Sequence, residues 1–183
     1  VASHQELQLA LATNINATQI SITGPGKSAN DIAAAIASGA VINVESTNEL
    51  NKIYRYCQHH KTKANIAIRI NPNFALKGAG MQMSGGAKPF GIDAEIAVDV
   101  LKALDQSLVT FKGLHIFAGS QNLQAAALIE THNLVFKLAV DLLSEANISA
   151  TQINIGGGFG VPYFATDQPL DTIAVCDNLH RLC

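Results

Sequence analysis

The chain has 183 residues, of which 48% are hydrophobic, 14% charged and 5% aromatic, and its formal net charge is −2. That length and apolar content suffice for one domain with a real core and exclude an intrinsically disordered chain. Lysine and arginine are scattered, which argues against nucleic acid or a membrane surface as partner, and no run of about 18 apolar residues is available to cross a bilayer.

The opening, "VASHQELQLA", has neither the basic nor the apolar region of a signal peptide, and no initiator Met, so the chain reads as a processed product or fragment. Cys57, Cys176 and Cys183 are an odd, widely spaced set with no metal-ligand pattern, as expected of reduced thiols in a cytoplasmic protein. Ser3 with Glu6, Ser28 with Asp31 and Ser46 with Glu49 are three capping-box signatures, each opening a helical pattern. Helices are expected over 4–13, 28–38, 47–60, 93–105, 122–147 and 169–182. Between them, 19–23, 40–44, 65–71, 113–117 and 152–155 are short, apolar and β-branched, which predicts buried strands.

Strict strand–helix alternation predicts an α/β fold with a parallel sheet and outer helices. An open doubly wound sheet and a closed barrel both place their sites at the C-terminal strand ends. The unusual residues cluster there: "TGPGKS", "VES", "RINPN", "FAGSQ" and "GGGFG". A long loop over 72–92, rich in Gly and Met, is expected to be functional or mobile and to carry specificity elements.

The run "INIGGGFG" at 153–160 has three candidate ligands. A dinucleotide fingerprint needs a third glycine opening a helix, but Val161 and Pro162 stand there. "GPGKS" at 24–28 lacks the first glycine of a nucleotide-binding P-loop, and its Lys27 reads as an ordinary first-turn lysine at the sheet rim. The third candidate is a single phosphomonoester wrapped by the amides of Gly156, Gly157 and Gly158, with the hydroxyl of Ser120 from the neighbouring strand.

"SITGPGKSANDIAAAIASGAVINVES", "IAIRINPNF", "KPFGIDAE", "GLHIFAGSQ" and "INIGGGFG" occur in that order, and together they resemble the fold-type III pyridoxal-phosphate decarboxylases. This is the ornithine, diaminopimelate and arginine decarboxylase family, built on an alanine-racemase-like barrel. "GAGMQMSGGAKPFG" and "HIFAGSQ" look closer still to the branch tied to exosortase-linked gene clusters, and some related branches act on carrier-bound amino acids. The resemblance implies a (β/α)8 TIM-type barrel, incomplete here at about strands 2 to 7, with pyridoxal 5′-phosphate as cofactor. It implies an amino-acid or carrier-bound aminoacyl substrate and a homodimer of the full-length protein. It further implies that Ser120 and Gly156–Gly158 hold the phosphate and that Arg69 lies near the cofactor ring, a barrel-interior ion pair being the equal alternative. His115 belongs to the family's "GLH" pattern, as a pocket or a structural residue, and Gln121 caps the next helix or lines the pocket.

Two departures stand out. Most of the family has a ring-stacking histidine where this chain has Phe117, which keeps an aromatic face but transfers no proton. The Schiff-base lysine of the family lies on the first barrel strand, and no part of this chain corresponds to it. Residues 1–183 therefore read as one partial barrel domain, without catalytic residues of its own and inactive in isolation. A non-catalytic barrel protein binding the same cofactor, an amino-acid racemase of the same fold and a nucleotide-binding domain are the other readings.

Overall fold

The structure, a computed structural model, describes residues 1–75, 81–82 and 89–183. In chain order its elements are α1 (His4–Ala12), a 3-10 turn (Ala17–Gln19), β1 (Ser21–Ile22), α2 (Ala29–Ser38), β2 (Val41–Val44), α3 (Thr47–His60), β3 (Ala64–Asn71) and β4 (Met81–Gln82). There follow β5 (Ile92–Asp93), α4 (Ala94–Lys102), β6 (Val109–Ile116), β7 (Gly119–Ser120), α5 (Ala125–Ala146), β8 (Gln152–Asn154) and α6 (Thr172–Leu182). Most of the 72–92 loop lies outside the described residues.

The main sheet runs β1–β2–β3–β6–β8, parallel throughout, with β5 also paired to β3. Along this path the strands follow one another in chain order. A doubly wound sheet reverses its strand order at a switch point, whereas a barrel does not, so this monotonic order is that of a barrel arc. The sheet curls into a half-barrel with helices outside. No described helix is long and apolar enough to cross a membrane.

All three expected N-terminal caps are present, with one difference of reach. Ser28 and Asp31 form the reciprocal capping box. Ser3 and Ser46 accept from the amides of Glu6 and Glu49, but those glutamates turn back to the amides of Ala2 and Glu45, one residue beyond the cap. The extra methylene of Glu over Asp accounts for the longer reach.

Strand periodicity sorts the side chains. Ile66, Ile68 and Ile70 point outward into the helix layer with Ile42, Val44, Leu114 and Ile116, all at most 1% exposed. Each such residue contributes about 2 kcal/mol by its burial. The alternate positions of the same strands face the inside of the arc. Strand β6 starts four residues before the expected 113–117, because Gly113 lies mid-strand: a side chain there would collide with the carbonyl of Gln152 on β8.

Candidate functional site

The inward positions at the C-terminal strand ends line one cleft of about 470 Å³, bounded by Thr23 and Gly24, Asn43, Arg69, Phe90, His115, Phe117, Asn154, Gly156 and Gly157. Five residues singled out in the sequence thus meet: Arg69, His115, Phe117, Gly156 and Gly157. Ser120 and Gly158 are not in its lining. Ser120 sits beside the cleft on β7, paired antiparallel with Met81. A second cleft, about 360 Å³ between the edge strands β1 and β8, is lined by no charged side chain.

The glycine run is locked against the segment between β7 and α5. Asn122 donates its amide to Gly158 O at 2.9 Å and accepts the amide of Gly160 at 2.8 Å. Gly156 has φ +75°, and a Cβ there would drive into the Phe117 ring, so the residue is required both by its backbone and by this packing. Its amide donates to Asn154 Oδ1 at 2.8 Å. The amides of Gly157 and Gly158 donate to nothing among the described residues, and a Cβ on Gly157 would meet open space. Gln121 neither caps α5 nor lines the cleft. Its φ is +54°, and its side chain accepts from the Val161 amide and donates to the Tyr163 hydroxyl, while Asn122 takes the Gln124 amide at the helix entry.

One wall of the cleft is backed by a row of buried charges. Arg69 Nη1 donates to Glu45 Oε2 at 2.9 Å, and its guanidinium lies 4.9 Å from the Phe90 ring centroid. Glu45 Oε1 accepts from the Thr23 hydroxyl and the Gly24 amide. Lys27 corrects the sequence reading: it is not a rim lysine but wholly buried, 3.1 Å from Glu49 Oε1 and 3.9 Å from Glu45 Oε1. Its ammonium also donates to the carbonyls of Gly24 and Asn43. The turn after β1 directs the side chain inward beneath β2, which no local pattern announces. Glu45 and Glu49 were equally missed as site residues. The signal for Glu45 was available, since a charged residue on the inward phase of an apolar strand demands a partner.

Burial, reinforced by the neighbouring Arg69 charge, pushes the His115 imidazole down to about 4, with Glu45 opposing and Lys27 adding to the fall. Its Nδ1 is buried without a hydrogen-bond partner among the described residues. Burial raises Glu49, and Lys27 draws it partly back. At neutral pH the cleft therefore presents a neutral imidazole, a paired guanidinium, an aromatic face and free backbone amides, a set suited to a ligand with an anionic group and a ring.

Residues 1–182 match the family described as pyridoxal-dependent decarboxylase, pyridoxal binding domain. The L-glutamyl-[BtrI acyl-carrier protein] decarboxylase of Niallia circulans is 35% identical over 173 residues, covering 93% of this chain and 40% of that protein. The diaminopimelate decarboxylase of Methanocaldococcus jannaschii is 34% identical over 174 residues, covering 92% of this chain and 39% of that protein. The crystal structure of diaminopimelate decarboxylase from Helicobacter pylori complexed with L-lysine superposes with a TM-score of 0.88 at 29% identity, over 99% of this chain and 46% of that one. The chain thus spans about 40% of the length of the curated relatives it matches. It belongs to the pyridoxal-dependent decarboxylases.

Proposed function

We propose that this chain, as a member of the pyridoxal-dependent decarboxylases, supplies the cofactor cradle of an enzyme that removes the α-carboxylate of an amino acid. The observation that carries this reading is the convergence of Arg69, His115, Phe117, Gly156 and Gly157 on one cleft at the strand ends. The residues fit pyridoxal 5′-phosphate. Free amides at Gly157 and Gly158 suit its phosphate, with open space where a side chain at Gly157 would stand, and the unpartnered His115 Nδ1 lies where a ring with polar substituents would bind.

In this reading the Gly157 and Gly158 amides and Ser120 bind the phosphate, Gly156, its own amide held by Asn154, shapes the turn that presents them, and Arg69 and His115 contact the polar edge of the ring. Phe117 offers an aromatic face worth about 1 kcal/mol. When bound, the cofactor supplies an electron sink for the pair released as the carboxylate leaves. Phe117 neither donates nor accepts a proton, so the proton-bearing ring of this wall is His115, neutral at physiological pH. Lys27, with its ammonium committed to two carbonyls and Glu49, is not the covalent anchor. We read residues 1–183 as one partial barrel domain and the full-length enzyme as a cytoplasmic homodimer. Exposed Val161, Tyr163 and Phe164 after the glycine run offer apolar surface to a second subunit.

The substrate unit is an α-amino acid with a free α-carboxylate, free in solution or borne on a carrier protein, as the names of the relatives suggest. Carbon dioxide release by the full-length protein from diaminopimelate, free glutamate and carrier-bound glutamate separates these sources. We expect saturable pyridoxal-phosphate binding, weakened in Ser120→Ala and in Gly157→Ala, and release from one of the three. Full affinity in both variants would remove the phosphate assignment, and loss of chirality without carbon dioxide would make the enzyme a racemase.

A further inference from the structure

We propose that Lys27 and Glu49 are a balanced pair of positioning residues that keeps Glu45 committed to Arg69, and so fixes the guanidinium of the cleft from behind. The inference rests on the reading that the cleft binds pyridoxal phosphate. Neither Lys27 nor Glu49 lines the cleft, so any influence on a ligand must pass through residues that do.

The chain of contacts is short and buried. The side chains of Lys27, Glu45, Glu49 and Arg69 are 0%, 1%, 7% and 6% exposed. Lys27 meets Glu49 at 3.1 Å but Glu45 only at 3.9 Å, so its nearer carboxylate is Glu49. Glu45 is left to place one oxygen on Arg69 Nη1 and the other on the Thr23–Gly24 turn. Gly24, in the cleft lining, is held at both ends, its amide by Glu45 and its carbonyl by Lys27. Two cations and two anions balance across the row.

Removing either member of the outer pair breaks that balance. Without the Lys27 charge, two buried carboxylates face a single guanidinium. Without the Glu49 charge, Lys27 turns its unmatched ammonium on Glu45, its other carboxylate neighbour, in competition with Arg69. Removing both restores one anion to one cation. The pair therefore predicts that each single substitution is harmful and that the double substitution is milder than either, a pattern that lost packing does not produce.

The test is the dissociation constant for pyridoxal 5′-phosphate of the full-length protein, read from the absorbance of the bound cofactor, in Lys27→Met, Glu49→Gln and the double variant. Each single variant is expected to bind about tenfold more weakly, and the double within about twofold of the unsubstituted protein. If Lys27→Met does not fold, Glu49→Gln and the double variant carry the same comparison, because Glu49→Gln keeps the Lys27 bonds to both carbonyls. A double variant whose loss equals or exceeds the Glu49→Gln loss overturns the proposal, as does a Glu49→Gln variant with unchanged affinity. An unsubstituted protein without affinity for the cofactor would instead remove the reading of the cleft, and this inference with it.

Discussion

Arg69 on β3 and Glu45 just past β2 meet at 2.9 Å with both side chains at most 6% exposed, and this contact joins the interior charge row to the wall of the cleft. The two readings of Arg69 drawn from the sequence are thus compatible: the ion pair engages Nη1 while the side chain still lines the cleft. Breaking a buried pair from one side leaves the other charge uncompensated and costs about 3–5 kcal/mol. Glu45→Gln should therefore lower stability by about that amount in urea denaturation. Glu45→Gln combined with Arg69→Met should lose less than Glu45→Gln alone, because no buried charge is then stranded.

The neighbouring glycines Gly156 and Gly157 answer differently to the same added methyl. Alanine at 156 must adopt φ +75° and displace the Phe117 ring, so Gly156→Ala should unfold at lower temperature and bind cofactor poorly. Alanine at 157 has no neighbour within 4 Å, so Gly157→Ala should keep the melting temperature within about 2 °C. A loss of pyridoxal-phosphate affinity in Gly157→Ala at unchanged stability then reports the approach to the amides. Equal losses of stability in the two variants would contradict this division.

The elements were legible in the sequence because each carries its own local signal. Ser28 with Asp31 starts α2, Gly39 in the left-handed region ends it, and the isoleucines of β3 alternate with inward Ala67 and Arg69. The glycine run was legible from its composition as a place of close backbone approach, with a dinucleotide, a nucleotide and a phosphomonoester as its candidate ligands. The inner side of the site was not. Lys27 looks like the start of a helix, and only the packing of α2 beneath β2 buries its ammonium between Glu45 and Glu49. The contact of Phe117 with Gly156 joins residues just past β6 and just past β8, which no spacing within either segment encodes. Local rules thus placed the strands and helices, while contacts between strand ends decided which of their residues share the cleft.

Asp31 links helix start and N-terminus. It accepts from the Ser28 hydroxyl and amide and from the His4 amide at 2.7 Å. The Ser28 hydroxyl bond above all, with the amide bonds behind it and burial opposing, lowers its carboxyl from 3.8 to about 2. A depressed carboxylate contributes stability that is present above its unfolded value and lost as pH falls through the folded one. Stability should thus decline between pH 4 and 2 in part through Asp31, and Asp31→Asn should flatten that decline. At pH 7 the same variant should cost about 1 kcal/mol, the scale of a helix cap, in denaturant titrations.

His115 acts over a higher pH window. Its imidazole falls from 6.5 to about 4 in the folded chain, chiefly by burial and then by the Arg69 charge. The folded state therefore binds fewer protons than the unfolded state between these values, so the His115 contribution is full above pH 6.5 and is lost as pH falls toward 4. Its size is on the order of 3 kcal/mol. His115→Phe, which cannot be protonated, should remove this part of the acid sensitivity, seen as a smaller slope of unfolding free energy between pH 6.5 and 4. Arg69→Met should raise the His115 titration midpoint measured by NMR, because the second cause of its depression is gone. A midpoint left unchanged by Arg69→Met would mean that the guanidinium charge does not reach the imidazole across the β3–β6 pair, where the two residues stand in register.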